Sequence, residues 1–390
     1  MLLTEAQTLD RVLGAVEPLG AEVQSRLLGR VLAEDVFASI PLPAFDNSSM
    51  DGYALRAADA KVGGELAVIG EHAAGADRNL VLGPGQAIRI FTGAPIPNGA
   101  DAVIMQEDVE RRGDKIVVRE GVERGENIRI RGGDLCEGQR LASKGEVLTP
   151  ARIAVIGSQG MAELSVYRRP TVAVIATGSE LRSQGVRLRP SEIYETNRIL
   201  LASLTERSNA VADVFDIVPD TEEAHLKTFE QARGRDVMLI AGGMSVGEKD
   251  LVRPMLKKLG AELDLWRVAI KPGKPFLFGR LGRTLVFGLP GNPVSAFVTF
   301  LLFVRPALWK MGGRTDLEPL RIPARLASDL ANEGDRPHYF RGVLKDAAFH
   351  PIGLQQSHAL FALSQANALC RVESGRSIVS GSVVDVLLLE

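Results

Sequence analysis

Between about residues 170 and 312 the chain alternates apolar, β-branched runs with helical segments, and this alternation constrains the fold more than any other feature. The expected strands are VAVIATGSEL, VADVFDIVPD and DVMLIAGG, and the expected helices are TNRILLASLTERS, TEEAHLKTFEQARG and LVRPMLKKLG. Strands that alternate with helices predict a parallel sheet covered by helices. Ligands of such folds bind beyond the carboxyl ends of the strands, where TGSEL and GGMSVG lie.

Three loop sequences follow one another in this region: GGMSVGEKD, AIKPGKPF and LPGNPVSA. In the first loop, Gly242, Gly243 and Gly247 let the backbone turn tightly and bring N–H groups close to a ligand, and Ser245 adds a hydroxyl. A plain glycine turn into the next helix is the alternative for this loop alone. Neither GxxxxGK[ST] nor GxGxxG occurs in it.

The second loop brings two lysines together. Lys271 and Lys274 lie in a turn that Pro272 and Pro275 stiffen. Two ammonium groups that face the same space repel each other unless an anion lies between them. An anion site is therefore one interpretation, and a solvated surface turn is the other.

The third loop places Asn292 and Pro293 at the start of an apolar helix, with Ser295 in its first turn. Free N–H groups at a helix start favour an anion. A capped helix with proline near its first position explains the same residue types. Taken in series, the three loops predict one site that handles a phosphate or another oxyanion.

A second group of candidates is acidic or hydroxylic and lies in turns. Carboxylates beside phosphate loops commonly hold a hard divalent cation such as Mg²⁺, although each residue alone is more often a turn or capping residue. The group consists of Asp46, Asn47, Ser48, Asp51, Thr92, Asp134, Glu180 and Asp250.

The rest of the chain predicts further domains. Residues 38–138 are rich in glycine and short β-branched runs, which predicts a β-rich domain. Helix and strand patterns return at 139–169, including a helix at ARIAVIGSQG, so the β-rich domain is expected to be inserted into an element built from both flanks. Apolar spacing predicts helix through the first 35 or so residues, including Val23–Val31. Short strands from 319 to the end predict a small β domain or barrel.

Composition excludes several classes of protein. A net charge of -2 with interspersed signs argues against a general nucleic-acid surface. Two distant cysteines show no metal-ligand spacing, and no HExxH pattern occurs. The N-terminus does not read as a signal peptide. The longest apolar run, 295–304, is shorter than the roughly 20 residues that span a bilayer, so we expect a cytoplasmic protein without a membrane partner.

The motifs, in chain order, resemble those of the molybdopterin molybdenumtransferase family (MoeA and the corresponding domain of gephyrin). They cover nearly the whole chain, and the set is specific to that family. The matching segments are PLPAFDNSSMDGYAL (41–55), FTGAPIPNGADAVIMQED (91–108), ATGSEL (176–181), YETNR (194–198), GGMSVGEKD (242–250), IKPGKPFLFG (270–279) and LPGNPVSA (289–296), with weaker matches at YFRG (339–342) and QSHAL (356–360).

The resemblance implies an elongated homodimer of four-domain subunits, with the active site in a cleft between subunits. It implies that molybdate is inserted into the dithiolene of adenylylated molybdopterin, which releases AMP and requires Mg²⁺. The adenylyltransferase of the same pathway and acceptor molybdoenzymes are expected partners. The expected domains are an elongated linking domain (19–37 and 139–169), an inserted β-rich domain (38–138), an α/β molybdopterin-binding domain with a parallel sheet (1–18 and 170–318) and a C-terminal β-barrel-like domain (319–390).

The family's roles are carried to matching residues of this chain. The resemblance implies a molybdate pocket, a set of groups needed for turnover, and acids that bind the metal. The implied molybdate pocket is Lys271, Lys274, Ser295, Arg341 and Ser357. The groups for turnover are Asp51, Thr92, Glu180 and Asp250, with Asp134 a further metal ligand. Substrate contacts are expected from Asp46, Asn47, Ser48, Gly242, Gly243, Ser245, Gly247, Pro275 and Asn292.

The chain departs from the family pattern at three places. Ser179 stands where the family usually has an acid, Val218-Pro219-Asp220 stands where it often has two acids, and Met244 replaces a β-branched residue.

Two other functions remain as alternatives. One is molybdopterin adenylyltransferase, which would not need the β domains. The other is a non-catalytic molybdopterin-binding scaffold, which loss of the lysines or acids would favour. Tungstate, nearly equal to molybdate in size and charge, is the alternative oxyanion.

Overall fold

The computed structural model describes residues 2–75, 80–244 and 250–389. The α-helices among them are α1 (Glu5–Gly14), α2 (Pro150–Gly157), α3 (Asn197–Arg207), α4 (Glu222–Ala232), α5 (Val252–Lys258), α6 (Pro293–Thr299), α7 (Arg305–Met311) and α8 (Leu360–Ser364). The strands up to residue 167 are β1 (Ala21–Gln24), β2 (Val36–Phe37), β3 (Asn47–Ser48), β4 (Gly52–Leu55), β5 (Glu65–His72), β6 (Gln86–Ile90), β7 (Ala102–Met105), β8 (Val109–Arg112), β9 (Lys115–Val118), β10 (Ile128–Arg129), β11 (Arg140–Ala142) and β12 (Leu164–Tyr167). The later strands are β13 (Thr171–Ala176), β14 (Leu181–Arg182), β15 (Ile193–Tyr194), β16 (Val211–Val214), β17 (Val237–Ala241), β18 (Glu262–Arg267), β19 (Pro275–Leu281), β20 (Thr284–Leu289), β21 (Arg321–Leu326), β22 (Leu330–Asn332), β23 (His338–Lys345), β24 (Ala348–Pro351), β25 (Ala368–Val372), β26 (Arg376–Ile378) and β27 (Val383–Leu388).

Contacts divide the chain into two compact units. The larger unit comprises residues 1–34, 144–149 and 163–390, and the smaller unit comprises 35–143 and 150–162. The boundaries of the four expected domains stay a prediction, because this division separates only two bodies.

The smaller unit is built on a six-stranded sheet in the order β7-β4-β6-β5-β9-β8. Only the β5–β6 pair is parallel, and the other pairs are antiparallel. Short ladders join β3 to β10 and β2 to β11, and α2 forms where the ARIAVIGSQG sequence predicted a helix. The predicted β-rich character of this part of the chain is confirmed.

The larger unit contains a second six-stranded sheet, in the order β16-β13-β17-β20-β19-β18. The pairs β16–β13, β13–β17 and β17–β20 are parallel, as the alternation of strands and helices predicts. The sheet then continues with the antiparallel strands β19 and β18. Helix α4 begins as expected, because the Thr221 side chain accepts a hydrogen bond from the Ala224 N–H at 3.3 Å.

The core of the larger unit is formed around the stretch Pro293–Met311, which runs through α6, a π-helical turn at Phe300–Val304 and α7. Among the described residues this is the one helical stretch long and apolar enough to cross a membrane. It continues past the apolar run at 295–304 because α7 adds residues up to Met311, with Arg305 and Lys310 among them. Of its most apolar window, 83% is buried inside the protein, as in a core helix.

The expected helix through Val23–Val31 was wrong. Residues Ala21–Gln24 form β1, which pairs antiparallel with β12. The four residues alternate between exposed and half-buried positions, with Val23 65% exposed. Long-range pairing with β12 prevails over the helical spacing, since a short apolar pattern is compatible with either structure.

The C-terminal part of the larger unit is a closed barrel of β21, β24, β23, β25 and β27, which confirms the predicted β-barrel-like domain. The Tyr339 hydroxyl, on β23, donates to the Glu5 carboxylate of α1 at 2.7 Å. A parallel bridge joins Lys271 to His338. The barrel is thus joined both to α1 and to the loop between β18 and β19.

We predict that Phe303→Ala destabilises the larger unit. Phe303 is fully buried, and its ring centroid lies 4.8 Å from that of Phe276. Removing a buried phenyl ring leaves a cavity, so the free energy of unfolding should fall by about 3–5 kcal/mol. Urea unfolding followed by tryptophan fluorescence measures this. The control is Phe361→Ala, because Phe361 is 80% exposed; equal unfolding midpoints for the two variants would contradict the described core.

Candidate active site

A cleft of about 860 Å³ lies in the larger unit, where the loops that follow β13, β17 and β20 come together. These are the carboxyl ends of parallel strands, where the sequence predicted a ligand. Several separately predicted residues are brought to its wall. They are Glu180, Gly242, Gly243, Lys271, Lys274, Pro275, Asn292, Ser295 and Ser357.

One wall of the cleft is basic. Lys271 and Lys274 lie on it together with Arg336 from the barrel. The Lys271 N–H donates to the Pro337 carbonyl at 2.8 Å, and the Arg336 guanidinium donates to the Ile270 carbonyl at 3.2 Å. The lysine loop is therefore positioned by main-chain bonds, and its cations suit an anion with more than one negative charge.

The loop before α6 is joined to a barrel loop. Asn292 donates from its side-chain amide to the Ser357 hydroxyl at 2.9 Å, and the Val294 N–H donates to the Ser357 carbonyl at 3.2 Å. Ser295 is 4% exposed in the first turn of α6. Two residues predicted from distant motifs thus contact each other directly on the cleft wall.

Arg341 lies behind the wall, fully buried. The Arg341 guanidinium donates hydrogen bonds to the carbonyls of Leu354 and Gln356. The main-chain N–H of Arg341 donates to the side-chain oxygen of Gln355 at 2.9 Å. The Nε and Nη1 atoms have no hydrogen-bond partner in the part of the chain that the structure describes, and burial lowers the pKa of the guanidinium. In this structure Arg341 supports the loop that carries Ser357, and its contact with an oxyanion stays a prediction.

His338, which sequence analysis did not select, lies beside the lysine loop. Its side chain is buried, and its Nε2 has no hydrogen-bond partner within the described ranges. Burial, together with the positive charges of Lys271 and Arg341, lowers the pKa of His338 to about 4. The imidazole is therefore neutral near pH 7 and adds no charge to this wall.

The glycine loop follows β17 closely. Gly242 and Gly243 have φ of +92° and +61°, a region that side chains other than glycine rarely adopt. A Cβ on Gly242 would lie 2.6 Å from the Thr177 carbonyl oxygen, and one on Gly243 would lie 2.5 Å from a Val252 methyl. Glycine is required at both positions by this close approach. Ser245 and Gly247, predicted in the same loop, lie outside the described residues.

Asp250 precedes α5 and is partly buried. One carboxylate oxygen accepts a hydrogen bond from the Val252 N–H at 3.2 Å, and the other is buried without a partner among the described residues. Burial raises the pKa of this carboxyl to about 6. Asp250 is not among the residues that line the cleft.

The remaining predicted acids belong to the smaller unit. Asp51 accepts hydrogen bonds from both the N–H and the hydroxyl of Thr92, each at 2.8 Å, and these bonds lower its pKa. Asp46 accepts from the Arg131 N–H at 2.6 Å. Asp134 is exposed. The structure therefore joins Asp51 to Thr92, and the two hydrogen bonds from Thr92 favour the ionised form of the Asp51 carboxylate.

Asn47 and Ser48 are buried in the smaller unit. The Asn47 amide donates to the Phe45 carbonyl at 3.1 Å, and the Ser48 hydroxyl donates to the Met50 carbonyl at 2.5 Å. Both side chains thus bond to their own loop, and the proposed substrate contacts of these residues stay predictions.

The expected metal ligands do not form a compact cluster. Within the described ranges, no three His, Cys, Asp or Glu side chains come together as possible metal ligands.

At Ser179, where the chain departs from the family pattern, the Ser179 N–H donates to the Asp220 carboxylate at 3.0 Å, and the Asp220 N–H donates to the Ser179 hydroxyl at 3.0 Å. Ser179 thus joins the loops after β13 and β16.

Sequence reasoning did not select several residues of the cleft wall. Thr177 and Asn197 lie in the motifs ATGSEL and YETNR, which could have identified them. Gln356 and His358 lie in the weaker match QSHAL (356–360), which could have identified them as well. Arg336 and Gln355 come from barrel loops with no local pattern that ties them to the α/β sheet.

Comparisons with known families cover most of the chain. Residues 3–160 match the model of the MoeA N-terminal region (domains I and II). Residues 173–310 match a probable molybdopterin binding domain, and residues 323–389 match the MoeA C-terminal region (domain IV).

Similar proteins and structures agree with these matches. The molybdopterin molybdenumtransferase of Haemophilus influenzae is 37% identical over 359 residues, which cover 90% of this chain and 89% of that protein. The enzyme of the same name from a Nostoc species is 36% identical over 377 residues, which cover 93% of this chain and 86% of that protein. A crystal structure of a molybdopterin biosynthesis MoeA protein from Pyrococcus horikoshii is 32% identical with a TM-score of 0.86, and the two chains cover each other completely.

We predict that His338 titrates at about pH 4 instead of near 6.5. Because its pKa is lower in the folded than in the unfolded protein, its contribution to stability is present above pH 6.5 and is lost as the pH falls toward 4. NMR of the histidine ring protons gives the midpoint, and urea unfolding from pH 4 to 7 gives the stability change.

His338→Gln should reduce that pH dependence, whereas His350→Gln, at an exposed barrel position, should not. A His338 midpoint near 6.5 would contradict the described burial.

Proposed function

The chain belongs to the MoeA family, and on that premise we propose that it is a molybdopterin molybdenumtransferase. It inserts molybdate into the dithiolene of adenylylated molybdopterin, releases AMP and forms molybdenum cofactor. The proposal rests on the convergence of the predicted loops on one basic cleft. The relatives named for this activity match about nine-tenths of the chain, at 37% and 36% identity.

The basic wall is proposed to bind molybdate. Molybdate is a tetrahedral dianion, and it needs several fixed donors. Lys271 and Lys274 supply charge, and the hydroxyls of Ser295 and Ser357 supply neutral donors. The contact between Asn292 and Ser357, at 2.9 Å, supports this arrangement because it fixes one hydroxyl on the wall.

The acids proposed as Mg²⁺ ligands are Glu180 and Asp250, in the larger unit, and Asp51 and Asp134, in the smaller unit, and one or two of them suffice. The Asp250 carboxylate fits a hard cation, because one oxygen is buried without a partner. Mg²⁺ commonly uses only one or two protein carboxylates and completes its shell with water and substrate phosphates. A compact cluster of acids is therefore not required. When bound, the ion stabilises negative charge on the phosphoanhydride as AMP leaves.

We propose that the enzyme is a homodimer in which the smaller unit of one subunit completes the cleft of its partner. The family resemblance supports this, as does the division of the candidate residues between two units: basic loops in the larger one, Asp51 and Thr92 in the smaller one. The adenylyltransferase that supplies the substrate and the molybdoenzymes that accept the product are the proposed partners, in the cytoplasm.

The alternatives have weaker support. An adenylyltransferase would not need the regions at 3–160 and 323–389 that match MoeA models. A non-catalytic scaffold would not need the lysines and acids, and they are present here.

The reaction is tested with purified protein, adenylylated molybdopterin, Mg²⁺ and either molybdate or no oxyanion. The proposal requires molybdate-dependent release of AMP and the appearance of molybdenum on the pterin. Binding of the substrate without release of AMP would favour the scaffold. Omission of Mg²⁺ tests the metal, and replacement of molybdate by tungstate compares the two oxyanions.

We predict that Asp51→Asn and Glu180→Gln each lower AMP release at least 100-fold and leave the fold intact. Loss of a group that stabilises charge in the transition state typically costs two to three orders of magnitude. The matched control is Asp385→Asn, because Asp385 is an exposed carboxylate on β27 of the barrel. Wild-type turnover in both site variants, with circular dichroism unchanged, would refute their assignment.

The dimer proposal predicts complementation between inactive variants. Co-expressed Asp51→Asn and Lys274→Gln subunits, carrying different affinity tags, give a mixed dimer that can be purified with both tags. If units of different subunits share a site, one site of each mixed dimer has both wild-type residues, and AMP release returns. If each subunit forms its own site, both sites remain defective, and the mixed dimer is as inactive as the parents.

A further inference from the structure

Two polar atoms on the cleft wall are buried and have no hydrogen-bond partner among the residues that the structure describes: the Thr177 hydroxyl and the side-chain carbonyl oxygen of Asn197. Thr177 is 5% exposed and Asn197 is 8% exposed. Buried polar side chains nearly always have a partner, because an unpaired one loses its hydration without compensation. Two unpaired atoms on one ligand-sized cleft indicate that the partner is a ligand.

The Thr177 hydroxyl lies beneath the glycine loop. A Cβ on Gly243 would lie 3.0 Å from this oxygen, and one on Gly242 would lie 3.2 Å from it. The two glycines therefore leave open the space next to the hydroxyl. Any side chain there would crowd it.

Asn197 is held in one orientation. Its Nδ2 donates to the Gly291 carbonyl at 2.7 Å, so its Oδ1 is left as the acceptor. The start of α3 is fixed on either side of it, because the buried Glu195 carboxylate accepts from the Arg198 N–H at 3.0 Å and from the Arg198 Nε at 2.9 Å. An acceptor held in this way is preorganised for one donor.

The chemistry of these atoms differs from that of the basic wall. An amide oxygen only accepts hydrogen bonds, and a hydroxyl both donates and accepts. The Asn197 oxygen cannot donate to an oxyanion, and Lys271, Lys274 and the two serine hydroxyls of the wall already serve that need. The complementary group is uncharged and carries N–H or O–H donors.

We propose that Thr177 and Asn197 are specificity-determining residues that hydrogen-bond the uncharged part of the adenylylated pterin through its N–H or O–H groups. This inference rests on the proposed function and deepens it. Two parts of the substrate carry such donors: the ring and amino N–H groups of the pterin, and the ribose hydroxyls and amino group of the adenosine.

Thr177→Val tests the proposal, because it removes only the hydroxyl. The fold should be at least as stable as the wild type, since a buried, unpaired polar group is replaced by a methyl group. The KM for adenylylated molybdopterin should rise about tenfold with kcat unchanged, as expected for loss of one hydrogen bond made equally in the ground and transition states. The KM for molybdate should not change.

Asn197→Ala is the second variant. It should raise the KM for the pterin substrate similarly, but it also removes the bond to Gly291, so it should lower the urea midpoint. Asn367→Ala is the matched control, because the Asn367 amide only joins barrel main chain at Leu344. It should lower the midpoint without changing either KM.

Calorimetric titration of the variants with AMP and, separately, with molybdopterin identifies the source of the donors. Weaker binding of AMP assigns the contact to the nucleoside, and weaker binding of molybdopterin assigns it to the pterin. Wild-type KM values and wild-type affinity for both probes in both variants would overturn the proposal. These titrations do not need turnover, so they remain decisive even if the wild type releases no AMP and the proposed function fails.

Discussion

The main-chain bonds between the Lys271 loop and the start of β23 determine how the cleft is built. The Lys271 N–H donates to the Pro337 carbonyl, and the Tyr339 N–H donates to the Lys271 carbonyl, both at 2.8 Å. These bonds join the barrel to the α/β sheet at the point where the first lysine faces the cleft. Arg336 and the Gln355–Ser357 loop reach the same cleft from the barrel as a consequence.

Burial determines which groups near this junction carry charge. His338 is neutral because it is buried and lies near the positive charges of Lys271 and Arg341, which lower its pKa. Lys271, by contrast, is exposed, and Lys274 is only partly buried. Arg341 is fully buried, and its hydrogen bonds go to loop carbonyls. Asp335 pairs with Arg336 at 2.9 Å and balances part of this positive charge, and an anion bound between the two lysines would lower the electrostatic cost of the rest. The electrostatics of the cleft therefore agree with the proposed oxyanion pocket.

Local patterns predicted the parts of the fold that depend on neighbours in sequence. The alternation of strands and helices, the Thr221 cap of α4 and the barrel-like C-terminus all follow from such patterns. The helix expected at Val23–Val31 was wrong because its residues pair with β12, more than a hundred residues away in sequence. The antiparallel strands β18 and β19 were not predicted, for the same reason.

The candidate site shows the same limit. Glycine, lysine and asparagine in the loops identified the cleft, since each loop has a chemical reason to bind a ligand. The burial of Arg341, the neutral state of His338 and the position of Arg336 depend on how the barrel contacts the sheet, which no local spacing encodes. Asn197 could have been selected from its motif, but only its buried, unpaired oxygen shows what it is free to bind.

The most direct test of the oxyanion cleft is a crystal structure of the protein with molybdate, with anomalous diffraction data collected at the molybdenum edge. The account predicts an anomalous peak on the basic wall, within contact distance of Lys271, Lys274 and the Ser295 and Ser357 hydroxyls. A peak at another surface, or an empty cleft at saturating molybdate, would contradict it.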